Sequence, residues 1–204
     1  MPLAKPEDSF QQATQAVDLW HLGKGETVSQ ESVDVNPNSS SWKHPPLGWV
    51  KANWDAGVNH QIGCVDLGVV IRDHQGRMWV AKSVTRRGFL EPTAAEFLAA
   101  SMATRLCTEM GFMRVQMEGD AKVVVDSVNS KLPDESANGH LTDDLHVALS
   151  SISLWELGHI GRAGNHVAYE LARMALQTEM DKVWLYDPPD CIREILHAEA
   201  LALQ

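Results

Sequence analysis

Cysteine is scarce in this chain, with only Cys64, Cys107 and Cys191 among 204 residues. They are far apart and no two have metal-ligand spacing, so a disulfide framework and a zinc-ribbon type of site are both excluded. An odd, scattered set fits a reducing compartment, and nucleus and cytoplasm are equally compatible with it. Three buried thiols are the expectation. Long apolar runs are also missing. Nothing approaches the roughly 20 residues that a membrane-spanning helix needs, and the start Met1-Pro2-Leu3-Ala4-Lys5-Pro6 lacks the layout of a secretory signal. An intracellular chain with no membrane partner is the expectation. Positive charge is the third shortage. Lys and Arg total 17 against 27 Asp and Glu, a formal net charge of −10. The deficit is spread out: −3 over residues 1–47, −4 over 48–180 and −3 over 181–204. Such a chain has no general attraction for polyanions, so any nucleic acid it binds must be held locally.

The hydrophobic content is 44%, ordinary for a folded domain, and the length allows one domain of about 130 to 150 residues plus extensions. Residues 1–41 are polar and irregular, ending in the linker-like Asn36-Pro37-Asn38-Ser39-Ser40-Ser41. They are expected to be disordered, with a short helix near Ala13–Leu19. Val50 to Asp55 alternates apolar and polar residues, as in a strand with two different faces, whereas Gly63 to Arg72 is apolar enough to be buried on both. Asp73-His74-Gln75-Gly76 marks a turn into a third strand, Arg77 to Thr85. After Pro92 the period becomes helical through Ala95, Leu98, Ala99, Met102, Leu106 and Met110, with Gly111 as the stop. Met113 to Glu118 reads as a fourth strand. A helix follows with Ala121, Val124, Val125 and Val128 on one face, and another spans Leu141 to Leu149. Leu154 to Ile160 is a fifth strand. Asn165 is placed to N-cap a last helix striped by Ala168, Leu171, Ala172 and Ala175. Residues 181–204 are expected to be a tail with a short helix around Cys191–Leu201. The order predicts a mixed α/β domain over 42–180, with a five-stranded sheet of three antiparallel strands followed by helix–strand alternation, and helices on both faces.

Three acids stand at informative places in this order. Asp55 closes the first strand, Glu96 lies about one turn into the first helix, and Asp120 lies between the fourth strand and the second helix. If these ends meet, three carboxylates share one place, which only a cation stabilises. Magnesium suits an all-oxygen set. Each acid also has an ordinary reading: a turn aspartate, a glutamate favoured by the helix dipole, and an N-cap. Spacing alone leaves both readings open.

Several segments in register carry a resemblance. They are Trp42-Lys43-His44-Pro45-Pro46-Leu47-Gly48-Trp49-Val50-Lys51-Ala52-Asn53-Trp54-Asp55, Gly68 to Gly76, Ala94-Ala95-Glu96-Phe97-Leu98-Ala99, and Glu118-Gly119-Asp120 with Val123-Val124-Val125. The last comprises His159, Arg162, Asn165, Ala168, Leu171 and Ala172. Residues 42–180 resemble the plant reverse-transcriptase-like ribonuclease H family. The resemblance implies a ribonuclease H-like fold, hydrolysis of the RNA strand of RNA–DNA hybrids with one or two Mg²⁺ or Mn²⁺ ions, and descent from a retroelement. It implies Asp55, Glu96 and Asp120 as metal ligands and catalytic residues; a monomer is the expectation. A fourth ligand is implied one turn into the last helix, where this chain has Tyr169. A neutral phenol is a poor magnesium ligand, and His166, three residues earlier, is the candidate substitute. Arg162 and His159 are candidates for substrate phosphate, with a surface arginine and a structural histidine as the ordinary readings. Lys131-Leu132-Pro133-Asp134-Glu135 occupies the place where some relatives carry a basic protrusion, and lacks its charge. There are seven tryptophans, and those on strands read as core rather than as stacking platforms. Two functions compete: a hybrid-cleaving endonuclease, favoured by the intact acids, and a nucleic-acid-binding or interaction module that keeps the fold without full activity, favoured by Tyr169 and the acidic surface.

Overall fold

The computed structural model describes residues 41–88, 90–178 and 180–202. The expectations for residues 1–40 lie outside these. The described elements are β1 (Val50–Asn59), β2 (Cys64–Asp73), β3 (Met78–Arg87), α1 (Pro92–Glu109), β4 (Arg114–Gly119), α2 (Lys122–Asn129), α3 (Gly139–Leu149), β5 (Leu154–His159), α4 (His166–Thr178), β6 (Lys182–Leu185) and α5 (Asp190–Ala202). The strands form one mixed sheet in the order β5-β4-β1-β2-β3-β6. β1, β2 and β3 are antiparallel neighbours, and β4 and β5 add in parallel beyond β1. Among the described residues no helix is long and apolar enough to cross a membrane.

The expected sheet of five strands is corrected to six. Residues after 181 do more than trail from the domain, because β6 pairs antiparallel with β3, Val80 opposite Leu185 and Ser83 opposite Lys182. The α5 helix then brings Ile192, fully buried, into a core cluster with Val70, Met78, Ala81, Val167 and Leu171. Cys64 and Cys107 are buried as expected, but Cys191 is exposed, since it lies on α5 beside the inward-facing Ile192.

β2 is buried along its whole length, as its apolar run requires. β1 departs from the simple alternation. Its polar residues Lys51, Asn53 and Asp55 are as buried as their apolar neighbours. The reason is that α4 and the C-terminal segment cover this face, and buried partners take the place of water. Lys51 pairs with Glu118 at 2.6 Å. Arg72 donates to Asn53 Oδ1 at 3.0 Å, pairs with Glu199 of α5, and lies 3.6 Å from the centre of the Trp42 ring. Burial lowers the Arg72 pKa to about 10, and Glu199 opposes that shift.

Two glycines fix how closely the layers approach. A Cβ at Gly68 would lie 2.2 Å from the Ala168 carbonyl oxygen and 2.4 Å from the Ala172 nitrogen, so α4 can sit against β2 only over a glycine. A Cβ at Gly119 would lie 2.3 Å from the Trp54 ring, so β4 likewise needs glycine where it meets β1. On the other face, α1 starts with Pro92 at its first turn and presents Ala95, Ala99, Ala100 and Ala103 to the sheet. Phe97, outside the expected stripe, is buried while Leu98 is 37% exposed, because α1 also packs on α3. Met113, expected as the first residue of β4, precedes that strand and is exposed.

Removing one partner of a buried ion pair leaves the other charge uncompensated. Glu199→Ala should therefore destabilise the protein by about 3 kcal/mol in urea unfolding, at the low end for buried pairs since Glu199 reaches the surface. Glu194→Ala, an exposed change on the same helix, is the control. Equal midpoints would mean that α5 is not held by Arg72.

Candidate metal centre and active site

β1 pairs with β4 only as far as Trp54 opposite Gly119, whereas its pairing with β2 continues to Asn59. Asp55 is therefore inside β1 rather than at its end, at the point where the β4 neighbour stops. Asp120 is the first residue after β4, and α1 brings Glu96 to the same opening. One ligand oxygen from each of Asp55, Glu96 and Asp120 lies within 4.8 Å of the others.

The ordinary readings of these acids do not survive the geometry. Asp55 lies in a strand and not a turn. Glu96 lies beyond the first turn of α1, where the dipole effect has faded. The N-cap of α2 is Ala121, with no side-chain capping bond, so Asp120 is not a cap. What remains is a recess holding three carboxylates in one another's field. Burial, then the charges of Glu96 and Asp120, push the Asp55 carboxyl far above the usual range. Burial, then the Asp120 charge, push Glu96 up to about 8, against the backbone N–H of Ala56 and the Arg162 guanidinium. Glu96 Oε2 is buried with no hydrogen-bond partner. A recess of hard oxygen donors with an unpartnered carboxylate oxygen fits a divalent cation such as Mg²⁺ or Mn²⁺.

The surrounding residues hold this arrangement. Asn165 Nδ2 donates to the Trp54 carbonyl at 2.8 Å and lies 3.5 Å from Asp120 Oδ1, which ties the start of α4 to both β1 and Asp120. Its Oδ1 has no partner, so it does not cap α4 as expected; the backbone carbonyl alone accepts from Tyr169 N–H at 3.1 Å. Nothing in its helix position marked this bridging role. The one signal was its place beside His159 and Arg162 in the closing segment. His159 Nε2 donates to the Asp120 carbonyl at 3.2 Å, which makes this ring a support for Asp120. Arg162 reaches Asp120 Oδ2 with its Nε at 3.4 Å while its side chain is 94% exposed, so the rest of the guanidinium faces outward over the carboxylates.

The recess opens into a groove of about 610 Å³ that includes His60 and Gln61 from the β1–β2 hairpin, Arg162, and Tyr169 and Arg173 from α4. Tyr169 is half-exposed and its ring stacks on His166, centroids 6.2 Å apart. His166 Nε2 lies 3.5 Å from Glu170 Oε1, and this histidine is not part of the three-acid cluster.

A mixed sheet whose central strand carries one acid, flanked by acids from the next parallel strand and the first helix, is the ribonuclease H fold. Residues 53–175 match the family described as reverse transcriptase-like, and the chain belongs to that family. An Arabidopsis thaliana protein named "Putative ribonuclease H protein" is 26% identical over 186 residues, covering 91% of this chain and 30% of that protein. The chain thus spans less than a third of that relative's length. RNase H1 from the halophilic archaeon Halobacterium salinarum NRC-1 is similar with a TM-score of 0.59 at 22% identity, over 63% of this chain and 98% of that one. LC11-RNase H1, crystallised in complex with an RNA/DNA hybrid, is similar with a TM-score of 0.57 at 21% identity, over 64% and 98%.

The raised carboxylates set a pH dependence. An acid whose folded pKa exceeds its unfolded value binds its proton more tightly when folded, so stability falls as pH rises from the unfolded value near 4 through the folded value. In EDTA, the melting temperature should drop between pH 5 and pH 8.5, by roughly a few kcal/mol of stability. Millimolar Mg²⁺ should restore it at the upper end, and Asp55→Asn should flatten the profile. A metal-free profile with no downward slope would show that the three acids do not share one field.

Proposed function

We propose that this chain is a divalent-cation-dependent endonuclease that hydrolyses the RNA strand of RNA–DNA hybrids, with Asp55, Glu96 and Asp120 as its metal-holding and catalytic residues. The convergence of these three buried carboxylates within 4.8 Å carries the reading. Mg²⁺ or Mn²⁺, bound as one or two ions, supplies polarisation of a phosphoryl oxygen and a water made acidic enough to attack near neutral pH. The protein's own contribution is placement. Asp55 is rigid because β1 is paired on its β2 side through and beyond it. Asp120 is held at its backbone by His159 and faced by Asn165. The outward guanidinium of Arg162 suits bidentate contact with a phosphate next to the carboxylates. The names of the relatives and the hybrid-bound structure of a similar protein support RNA–DNA hybrid as the substrate. Family membership supports retroelement descent. The region from residue 42 is taken as the ribonuclease H-like domain, with β6 and α5 completing its sheet and core, and it is taken to act as a monomer.

One observation favours a second reading, a nucleic-acid-binding or interaction module with little cleavage. Tyr169 stands where the resemblance puts a fourth ligand, and His166 beside it is engaged by Glu170. Cleavage of a labelled hybrid separates the two. The wild type should cut in Mg²⁺ or Mn²⁺, and Asp120→Asn should lower the rate at least about 100-fold, the several kcal/mol that such a centre supplies. Identical traces for the two proteins would remove the nuclease reading, and binding without cutting would establish the second. Arg162→Ala should weaken hybrid binding and flatten its dependence on salt by about one phosphate contact. An unchanged salt slope would leave Arg162 as a surface residue.

A further inference from the structure

The groove beside the three carboxylates has an aromatic wall that the chemistry so far does not use. Tyr169 is 48% exposed within it, and the groove continues past Ala172 toward Leu176 on the same helix face. The Tyr169 ring has an aromatic neighbour. It stacks at an interplanar angle of 30° on His166, which Glu170 approaches from one turn along. A half-exposed aromatic ring that lines a groove and has a second ring beside it is a contact surface rather than core filling.

The electrostatics say what kind of contact it serves. A polyanion approaching this chain meets a net charge of −10 and three carboxylates in the recess itself. Of the two arginines on the groove, Arg173 is already paired with Glu170 at 2.7 Å. Long-range attraction is therefore weak, and affinity needs a source that does not depend on net charge. A ring face supplies one, because aromatic contact with nucleotides is tolerant of sequence and is not itself an ionic interaction. Bases inside a duplex stay stacked on each other, whereas an A-like hybrid displays its sugars across a wide, shallow minor groove.

We infer that Tyr169, backed by the His166 ring, is a substrate-binding residue that packs against a ribose of the strand lying over Asp55, Glu96 and Asp120. The inference rests on the hybrid-binding reading above and adds to it the contact that replaces a fourth ligand on α4. Tyr169 then contributes affinity for the nucleic acid and nothing to the hold on a cation.

The test is equilibrium binding of a fluorescein-labelled RNA–DNA hybrid to the full chain in Ca²⁺, with calorimetric Mg²⁺ titration of the same proteins. Tyr169→Ala should weaken hybrid binding about tenfold, no more than the lower end of what a ring stacked on a base supplies, while Tyr169→Phe stays within about twofold of the wild type. Mg²⁺ affinity should be the same in all three proteins. Rescue by phenylalanine, together with unchanged melting temperatures, separates packing from a loss of fold. Equal hybrid affinity for Tyr169→Ala and the wild type overturns this inference and leaves the nuclease reading standing. So does a Tyr169→Phe variant as weak as the alanine, or a loss of Mg²⁺ affinity in either. A wild type that binds no hybrid at all overturns both.

Discussion

Mutual repulsion among Asp55, Glu96 and Asp120 is the constraint on which the rest of the structure depends. At an effective dielectric of 20, two unit charges 4 Å apart repel by about 4 kcal/mol. A chain free to relax would separate them. Here each acid is fixed by a different piece of rigid backbone: Asp55 by a strand paired along its length with β2, Asp120 by its position just beyond β4, Glu96 by a helix packed on the opposite sheet face. Gly68 and Gly119 are the places where these pieces touch most closely. Removing the space they leave would shift α4 or β4 and with them the spacing of the acids. The close packing of small residues thus maintains an electrostatically unfavourable cluster, and the surrounding fold supplies the free energy that the cluster costs.

The same sheet face carries a second buried polar group, about one turn of pleat further along β1. Lys51 and Arg72 are register partners, both almost wholly buried, and each has its own carboxylate, Glu118 and Glu199. Asn53 lies between the two groups and accepts from both Trp42 Nε1 and Arg72. The alternating Lys51, Asn53 and Asp55 therefore form one continuous polar row beneath α4 and α5. Its cation end is neutralised internally and its anion end is not. That asymmetry explains why the C-terminal segment belongs to the sheet: without Glu199, Arg72 would be a buried charge beside an aromatic ring and an amide, with Glu118, already paired to Lys51, as the other carboxylate acting on it.

Much of this was legible in the sequence, for reasons that differ by residue. β2 was readable because an unbroken apolar run has one stable environment, and Gly111 because a helix stop at φ 75° favours glycine. The three acids were readable as a set only through their order among strands and helices and through the family resemblance, since each alone has a commoner explanation. Other features were hidden because they depend on distant partners. Alternation in β1 could not show that its polar side faces α4 and α5 rather than water. The run Lys182–Leu185 has strand-favouring residues but is too short to read as a strand by itself, and it becomes β6 by pairing with the edge of β3. Asn165 looked like a cap, a local role, whereas its amide reaches the carbonyl of Trp54, 111 residues earlier. Local pattern reports the period of an element, and tertiary partners decide which of its polar residues are used.

Internal compensation at one end of the polar row and its absence at the other have a consequence for how the site can work. Lys51 and Arg72 spend their charge on Glu118 and Glu199, so they do little to relieve the acids. The positive group that acts on both Asp55 and Glu96 is Arg162, and it is almost fully exposed, where water screens it. Compensating charge for the recess therefore has to come from outside it, as protons at low pH or, on the proposed function, as a divalent cation at higher pH. A proton neutralises one carboxylate and ends its use as a ligand. A divalent cation satisfies several at once and leaves them ionised around it. The burial that makes ionising the cluster costly is thus the same property that would favour a divalent cation over protons, and the three carboxylates lie at the wall of an open groove.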